Sequence, residues 1–354
     1  MAETIGTVAC IGNPIADKGH GEESYEQAFD LLGREGERYG FAVMDLTGGS
    51  FEESLANARQ HAELYDALVV VVGGDGMIAL GANAIGGSGK PLGIVAVGSG
   101  NDFARGLELP VNRIETAVEG IVGAIACDTS LDVDMGHVTG IGESASIDRY
   151  YAGMLSCGVD ASINDRANHS HLPNGSLRYL AAVAVELTRL KAYGYHVRAV
   201  LADGRVDERD IVSPLLTVAN SRHIGGGIEV CPYASFDDGL LDLVWLDHMP
   251  KLGELARIVP NVYNGRLLAH PLFGWRRVRE VEISRIEGYP VPPMLMADGE
   301  YVGDLPVKVT AMDRALRVLV PPAVADQQLR RLDDRSSVVI RRDGRDPLTG
   351  EFTC

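Results

Sequence analysis

The chain has 354 residues, 46% of them hydrophobic, and its 32 basic and 49 acidic residues give a formal net charge of −17. This length and apolar content predict two folded domains and exclude a disordered chain. The acidic balance argues against a duplex nucleic-acid binder and against strong electrostatic adhesion to an anionic membrane, since both need clustered Lys and Arg. The five cysteines are far apart and indicate neither a zinc site nor a disulfide framework.

The N-terminal residues lack the basic start and long apolar stretch of a secretory signal. No run of about eighteen apolar residues, the length that spans a bilayer, occurs in the chain. We therefore expect a cytoplasmic protein that meets any lipid partner from the water side, as a peripheral protein.

The first third alternates short apolar runs with amphipathic segments. The predicted strands are Thr7–Ile11, Ala42–Leu46, Leu68–Val72 and Leu92–Val95. The predicted helices start near Glu22, run from the cap residue Ser50 to about His61, start at Ile78, and cover Arg113–Gly123. This alternation predicts a parallel sheet with crossover helices, a Rossmann-like α/β domain over residues 1–128.

After about residue 130 the pattern changes to strands separated by Asp-Gly turns. Two strands around Asp203-Gly204 predict a hairpin, and one helix is predicted at Ser176–Lys191, closed by Gly194. Residues 129–322 are therefore predicted to form a mainly antiparallel domain, and residues 323–354 a charged, loosely held tail. An exposed sheet edge in this domain would allow a homodimer, which the sequence leaves open.

The sharpest motif, Gly73-Gly74-Asp75-Gly76, directly follows the strand Leu68–Val72. Three glycines in four residues let the backbone approach a ligand and turn its amides toward it, as in phosphate sites at helix N-termini. A carboxylate beside phosphates fits a metal-binding or hydroxyl-orienting role for Asp75. The alternative is a tight strand–helix turn with Asp75 as its cap.

A second glycine turn, Gly98-Ser99-Gly100, follows the next strand, and Asn101-Asp102 can cap the helix that begins there. Neighbouring parallel strands place their C-terminal loops side by side. The two loops are therefore predicted to line one crevice, where nucleotides bind in open α/β sheets.

These motifs resemble the catalytic domain of the diacylglycerol kinase and sphingosine kinase superfamily, most closely that of the soluble bacterial lipid kinases. Further motifs agree in order from residue 13 to 300. They are Asn13-Pro14, Thr47, Asp134-Met135-Gly136, Gly158-Val159-Asp160-Ala161, Asn220, Gly225-Gly226-Gly227, Pro232, Asp238-Gly239-Leu240-Leu241-Asp242 and Asp298-Gly299-Glu300. The resemblance implies an NAD kinase/diacylglycerol kinase type α/β domain followed by a β-sandwich domain. The implied activity is Mg²⁺-dependent transfer of the γ-phosphate of ATP to a hydroxyl of a lipid, such as diacylglycerol or a sphingoid base.

The resemblance also implies roles for particular residues. The implied catalytic residues are Asp75 near the transferred phosphoryl group and Glu300 as general base, with Asp298 as the second candidate base. The implied nucleotide contacts are Asn13, Thr47, Gly73, Gly74, Gly76, Met77, Gly98, Ser99, Asn101 and Asp102. The implied metal-binding residues are Asp134, in a magnesium–water network, and Ser235, Asp238 and Leu240, around a second, structural metal. Ordinary hairpin chemistry is the alternative for the Asp-Gly turns at 238 and 298.

Three positions depart from the family's usual glycine loop, which continues with Thr and then an Asn-Glu pair. This chain has Met77, Ala79 and Leu80 there, so it lacks a hydroxyl and two further polar groups. Two other functions therefore stay open: a soluble-substrate kinase of the NAD kinase type, and a nucleotide-binding regulatory module with weakened catalysis.

A membrane contact is a further hypothesis for Trp275-Arg276-Arg277-Val278-Arg279, because an aromatic residue with three cations suits a lipid surface. The competing interpretation is the solvated side of a strand.

Overall fold

The computed structural model describes residues 6–13, 20–98, 100–170, 172, 175–224, 228–258, 261, 264–329 and 335–353. Two compact units are formed by a chain that passes twice through each. The first comprises Met1–Val133 and Arg314–Asp333, and the second comprises Asp134–Asp313 and Asp334–Cys354.

The first unit alternates strands and helices. Its elements are β1 (Thr7–Gly12), α1 (His20–Tyr39), β2 (Ala42–Asp45), α2 (Phe51–Ala62), β3 (Ala67–Gly73), α3 (Asp75–Ile85), β4 (Pro91–Ala96), α4 (Asp102–Gly106) and α5 (Ile114–Cys127). The predicted strands and helices of this region are confirmed, but α3 begins at Asp75 and not at Ile78. Asp75 therefore lies in the first turn of a helix.

The sheet of the first unit is parallel, in the order β4-β3-β1-β2. Strand β3 is buried along its whole length and consists of Ala67, Leu68, four valines and Gly73. Such a continuous apolar run is typical of a parallel strand that is covered on both faces. Side chains of α1 and α5, among them Leu32 and Ile121, pack with β3 in one core.

The second unit is rich in strands. Its elements begin with β5 (Ser130–Gly140), which crosses from the first unit, and β6 (Asp148–Tyr151), β7 (Met154–Ser156), α6 (Val159–Asn168), α7 (Gly175–Leu187), β8 (Tyr193–Leu201), β9 (Val206–Ser213), β10 (Leu216–Ala219), β11 (His223–Ile224) and β12 (Ile228–Glu229). They continue with β13 (Leu241–Leu246), α8 (Leu252–Ile258), β14 (Phe273–Arg285), β15 (Leu295–Ala297), β16 (Glu300–Gly303), β17 (Val307–Leu319) and α10 (Arg335–Arg342). Helix α9 (Pro322–Leu329) follows β17 and belongs to the first unit.

Pairing in this unit is antiparallel, in the order β16-β15-β7-β10-β13-β14-β17, and β8 joins β14 to β9. The predicted hairpin around Asp203-Gly204 is confirmed as β8–β9. The predicted helix Ser176–Lys191 is α7, which ends earlier, at Leu187, and the predicted closing residue Gly194 lies inside β8.

Strand β17 explains why the two units do not follow the predicted boundaries at residues 128 and 322. Its first half pairs with β14, and beyond Arg314 it pairs in parallel with β4, at Arg317↔Pro91 and Val318↔Leu92. The strand thus belongs to both units. Sequence periodicity does not reveal this, because it shows that a segment is a strand but not which strands it joins.

The charged C-terminal segment is packed, so the prediction of a loosely held tail is wrong for residues 335–353. Ile340 is buried in a core of the second unit. Arg345 is 2% exposed and donates hydrogen bonds to the carbonyls of Leu268 (2.7 Å), Gly350 (2.7 Å) and Phe273 (2.5 Å). A guanidinium with five donors can satisfy several carbonyls at once, which makes its burial tolerable.

Neither interpretation of the Trp275–Arg279 segment agrees with the structure over its first three residues. Trp275, Arg276 and Arg277 are all buried. Trp275 hydrogen-bonds Asp242, and Arg276 forms ion pairs with Asp207 and Glu351. These carboxylates come from distant parts of the chain, so the segment alone gives no sign of its burial.

Candidate active site

Four strands of the first unit end at the same edge of its parallel sheet. Gly12 lies opposite Val72, and Gly73 lies opposite Ala96. The loops that follow β1, β2, β3 and β4 therefore share the carboxyl edge of the sheet, where open α/β folds bind ligands.

The glycine loops after β3 and β4 touch through their backbones. A Cβ added to Gly98 would lie 2.3 Å from the Cα of Gly74, and one added to Gly74 would lie 3.2 Å from the Cα of Gly98. Because both obstacles are backbone atoms, a side chain at Gly98 is excluded and one at Gly74 would be tightly constrained. The structure thus joins the two predicted loops into one site.

Asp75 links the two loops. Its carboxylate accepts hydrogen bonds from the backbone amides of Asn101 (2.9 Å) and Phe103 (3.4 Å), at the start of α4. Burial raises the pKa of Asp75, while hydrogen bonds from the amides of Phe103, Asp102 and Asn101 act in the opposite direction. Asp75, from the loop after β3, therefore caps the first turn of α4, which follows β4.

Asn101, the N-cap residue of α4, makes no side-chain cap there, contrary to the prediction. Asn101 instead closes its own loop: its Oδ1 accepts from the amide of Gly98 (2.9 Å) and its Nδ2 donates to the carbonyl of Gly98 (2.6 Å). It does so with a left-handed φ of 57°, which Asn tolerates better than most residues. Asp102 is buried, and the predicted contact Ser99 lies outside the described residues.

Thr47 is placed beside the end of β1. Its Oγ1 accepts from the amide of Gly12 (3.0 Å), next to the exposed residue Asn13. The amide of Thr47 donates to Asp45 Oδ1 (2.9 Å), which also accepts from the hydroxyl of Tyr25 (2.5 Å). Burial alone would raise the pKa of Asp45, but the hydrogen bonds from Tyr25 and Thr47 lower it overall.

Sequence reasoning missed the roles of Tyr25 and Asp45. A Cβ on Gly12 would lie 2.3 Å from the Tyr25 ring, so the ring sits directly against this turn. The only sequence signal was the position of Asp45 at the end of a predicted strand.

The three departures from the family's loop are buried. Met77, Ala79 and Leu80 are 7%, 4% and 1% exposed. A Cβ on Gly73 would lie 2.4 Å from Met77 Cγ, so Met77 packs under the glycine turn. At these three positions α3 has apolar side chains that are buried. The substitutions do not alter the backbone amides of the glycine turn at residues 73–76.

In the second unit, Asp298 and Gly299 form the turn between β15 and β16, with φ values of 50° and 85°. The carboxylate of Asp298 accepts from three consecutive backbone amides, those of Ala152 (2.7 Å), Gly153 (2.8 Å) and Met154 (3.0 Å). This side chain therefore anchors the turn to the segment before β7.

Glu300 lies directly after this turn and is exposed. The turn is also held from α6, because Asn168 Nδ2 donates to the carbonyl of Gly299 (2.8 Å) and the Tyr301 hydroxyl bonds Asp165. The two acidic residues of the Asp-Gly-Glu motif thus differ: Asp298 is engaged by the backbone, and Glu300 faces solvent.

Asn220 is a further residue whose role the sequence did not reveal. Its Nδ2 donates to the carbonyls of Asp134 (2.7 Å) and Ala152 (2.8 Å), and its amide donates to the carbonyl of Gly153 (2.8 Å). It therefore connects β5 to the segment that holds Asp298. Its position in the motif order was the available signal.

The predicted metal-binding residues Asp134, Asp238 and Leu240 lie together. Asp134 is fully buried, and its Oδ2 accepts from the amide of Gly239 (2.7 Å). Asp238 Oδ1 accepts from the amide of Leu240 (3.1 Å), and Ser235 Oγ donates to Asp237 Oδ1 (2.6 Å). Protein groups therefore supply the described hydrogen bonds of this turn.

A guanidinium already lies beside this turn. Arg277 Nη2 is 3.7 Å from Asp238 Oδ2, and Asp242 lies opposite Arg277 in the β13–β14 ladder. Burial raises the pKa of Asp238 to about 7, an effect that Arg277 opposes. No group of three or more His, Cys, Asp or Glu side chains suited to a metal ion occurs in the described residues. A structural metal at Asp238 is a poor fit to this site, because Arg277 already supplies a cation; it stays a prediction from the sequence.

The comparisons with known proteins agree along most of the chain. A diacylglycerol kinase catalytic domain model matches residues 7–138, and a model described as the YegS C-terminal NAD kinase beta sandwich-like domain matches residues 153–320. A solved structure of a putative diacylglycerol kinase from Bacillus anthracis has a TM-score of 0.66 and 19% identity, covering 90% of this chain and 98% of the other. These matches define a two-domain fold of the diacylglycerol kinase type.

Sequence relatives identify the family. Diacylglycerol kinase from Mycobacterium tuberculosis H37Rv is 31% identical over 320 residues, 90% of this chain and 96% of the relative. Diacylglycerol kinase from Bacillus subtilis is 27% identical over 270 residues, 75% of this chain and 80% of the relative. The chain belongs to the diacylglycerol kinase and YegS-type lipid kinase superfamily, as the motifs predicted.

Among the described helices, none combines the length and apolar character needed to cross a membrane.

Proposed function

We propose that the protein transfers the γ-phosphate of ATP to a hydroxyl of a lipid, with diacylglycerol as the first candidate. The observation that carries the proposal is the backbone contact between Gly74 and Gly98, with Asp75 bonded across it. Two glycine loops at the carboxyl edge of a parallel sheet offer main-chain amides to phosphates.

The proposed nucleotide contacts are the loops at this edge. Asn13 and Thr47 follow β1 and β2 at the same sheet edge as the glycine turns of residues 73–76 and 98–101. Asp75 would act mainly by holding these turns together, since its carboxylate is bonded to backbone amides. A bound Mg²⁺ would neutralise the phosphate charge, with Asp134 in its water network.

Glu300 is the proposed general base. The acceptor hydroxyl oxygen forms a bond to the γ-phosphorus, the bond from that phosphorus to the β-phosphate oxygen breaks, and ADP leaves. The hydroxyl proton passes to the Glu300 carboxylate, which is exposed and therefore accessible to an acceptor. Asp298 would act through Glu300 by fixing the turn that carries it.

The test is incubation with γ-labelled ATP, magnesium and a total lipid extract in detergent micelles. Label should enter an organic-soluble product, which chromatography identifies. Glu300→Gln should abolish this labelling, and Glu287→Gln, an exposed carboxylate before β15, should leave it unchanged.

Two other results would replace the proposal. Label in NAD and not in lipid would indicate a soluble-substrate kinase. ATP binding without transfer to lipid or NAD would indicate a nucleotide-binding regulatory module with weakened catalysis. The apolar residues Met77, Ala79 and Leu80 are the feature of the chain that favours this alternative.

A further inference from the structure

Helix α7 exposes an apolar face. Leu177 is 49% exposed, Leu180 46% and Val185 37%, and Ala184 is also exposed. These residues, with the half-buried Ala181, recur at three- and four-residue spacing and so share one side of the helix. The opposite side carries the buried Tyr179 and Ala182, which pack into a core of the second unit. Both faces of the helix are thus apolar, and one of them meets solvent.

Basic residues border this face. Arg178 follows Leu177, and Arg189 and Lys191, both exposed, follow the end of the helix. The acidic residue of the helix, Glu186, is engaged by Arg166 (Nε to Oε1 2.6 Å). The local charge is therefore positive in a chain whose formal net charge is −17. Cations flanking an apolar helical face are typical of helices that lie in a membrane interface.

The helix is connected to the turn that carries Glu300. Helix α7 packs against α6, and α6 bonds the turn through Asn168 and Gly299 and through Asp165 and Tyr301. All of these elements belong to the second unit. A surface that contacts α7 thus lies one helix away from the proposed base.

We propose that the exposed face of α7 docks the protein on an anionic lipid surface, with Leu177, Leu180 and Val185 entering the interface. The helix has 13 residues and is about 20 Å long, less than the ~30 Å of a hydrocarbon core, so it lies in the plane of the interface. The choice of an anionic lipid surface over a second copy of the chain rests on the flanking Arg and Lys. The inference rests on the proposed function in one respect, that the acceptor is a lipid.

The test is flotation of the full chain with phosphatidylcholine vesicles, with and without phosphatidylglycerol. Leu177→Ser/Leu180→Ser should lower the partition coefficient at least about tenfold, since two large apolar side chains lose their burial. Val338→Ser, at a 68% exposed position on α10, is the matched control and should bind as the unmodified chain does. Arg189→Gln/Lys191→Gln should weaken binding about fivefold per charge on the anionic vesicles alone.

Two results would overturn the proposal. One is vesicle binding by the double serine variant equal to that of the control, with both equally stable to heat. The other is a dimer of the unmodified chain that the serine variant converts to a monomer without a change in vesicle binding, which would assign the face to a second copy.

Activity separates this inference from the proposed function. The serine variant should keep transfer to a short-chain diacylglycerol in detergent micelles and lose transfer to diacylglycerol in vesicles. Vesicle binding that depends on Leu177 and Leu180, in a protein without transfer to any lipid, would support the docking face and refute the lipid kinase.

Discussion

Asp75 in the first unit and Asp298 in the second occupy similar local sequences. Each follows a buried strand and precedes a glycine, and each carboxylate is bonded by amides of a distant segment, residues 101–103 for Asp75 and residues 152–154 for Asp298. Both side chains therefore join two stretches of chain that are far apart in sequence.

The two aspartates differ in the residues that come directly after them. Asp75 opens α3, which is buried from Met77 to Leu80, whereas Asp298 lies in a hairpin turn that leads into the exposed side chain of Glu300. An Asp in a glycine turn can thus serve mainly to hold two segments of the chain together. In that case an accessible residue next to it, such as Glu300, is the better candidate for a catalytic role.

The sharpest test of this difference compares Glu300→Gln with Asp298→Asn. Glu300→Gln should lower kcat by about 10²–10⁴-fold, because proton transfer is lost, and should change the Tm less than Asp298→Asn does, because Glu300 is exposed. Asp298→Asn should lower both kcat and the Tm, since charge-assisted bonds to buried amides are weakened. Thermal unfolding and single-turnover kinetics measure the two effects. An unchanged Tm in Asp298→Asn would break the comparison.

Asp75→Asn tests whether the first aspartate also serves mainly to hold two segments of the chain together. We expect transfer to fall about 100-fold, because the loops at Gly74 and Gly98 lose their alignment, and the free energy of unfolding to fall by about 1–3 kcal/mol. Denaturant unfolding and ATP binding by calorimetry check this result. Full stability with lost activity would instead place Asp75 in the chemistry.

Asp238 provides a third aspartate before glycine, with a guanidinium beside it. Arg277→Gln should lower the free energy of unfolding by about 4 kcal/mol, as expected when a buried charge loses its partner. Arg279→Gln, on the same strand but exposed, is the control. The Tm of the unmodified chain should be the same in EDTA and in Mg²⁺. A fall in EDTA would restore the predicted structural metal at Asp238, Ser235 and Leu240.

A pH-dependent effect is expected from Asp160, whose carboxylate accepts from the Gly158 amide (2.8 Å) and the Thr217 hydroxyl (2.7 Å). Burial raises the pKa of Asp160 from its ordinary 3.8 to about 6. The folded state therefore binds this proton more tightly, and the free energy of unfolding falls by up to about 3 kcal/mol as the pH rises from 4 to 6. Asp160→Asn should lack this part of the pH dependence. Parallel pH profiles for the two proteins would contradict the assignment.

Much of the first unit is encoded in local sequence. Val69–Val72 and the glycines after them specify a buried strand and a turn by composition alone, so this strand and the turn after it were predictable. The hydrogen-bond partners of Asp75, the amides of Asn101 and Phe103, could not be predicted, because the sequence around a carboxylate does not show which distant amides it will contact. The same holds for Asn220, whose three hydrogen bonds join residues 134 and 152–153.

Buried charge was the main failure of prediction. Arg276 and Arg277 were predicted to lie at a membrane surface or on the solvated side of a strand, and Arg345 lies in the segment predicted to be a loosely held tail, yet all three are buried. For Arg276 and Arg345, partners such as Asp207 and the carbonyls of Leu268 and Phe273 lie 69 to 77 residues away in sequence. Tertiary pairing over such distances is invisible to local periodicity.

The path of β17 has a consequence for the order of synthesis. The ribosome releases residues 7–96 first, yet β4 gains its neighbour β17 only when residues 317 and 318 have emerged. Likewise, the buried guanidinium of Arg345 can reach the carbonyls of Leu268 and Phe273 only after residue 345 has been synthesised. Neither unit can reach its final packing before residues 317, 318 and 345 have been synthesised, so a nascent chain would display the glycine loops on an incomplete sheet until then.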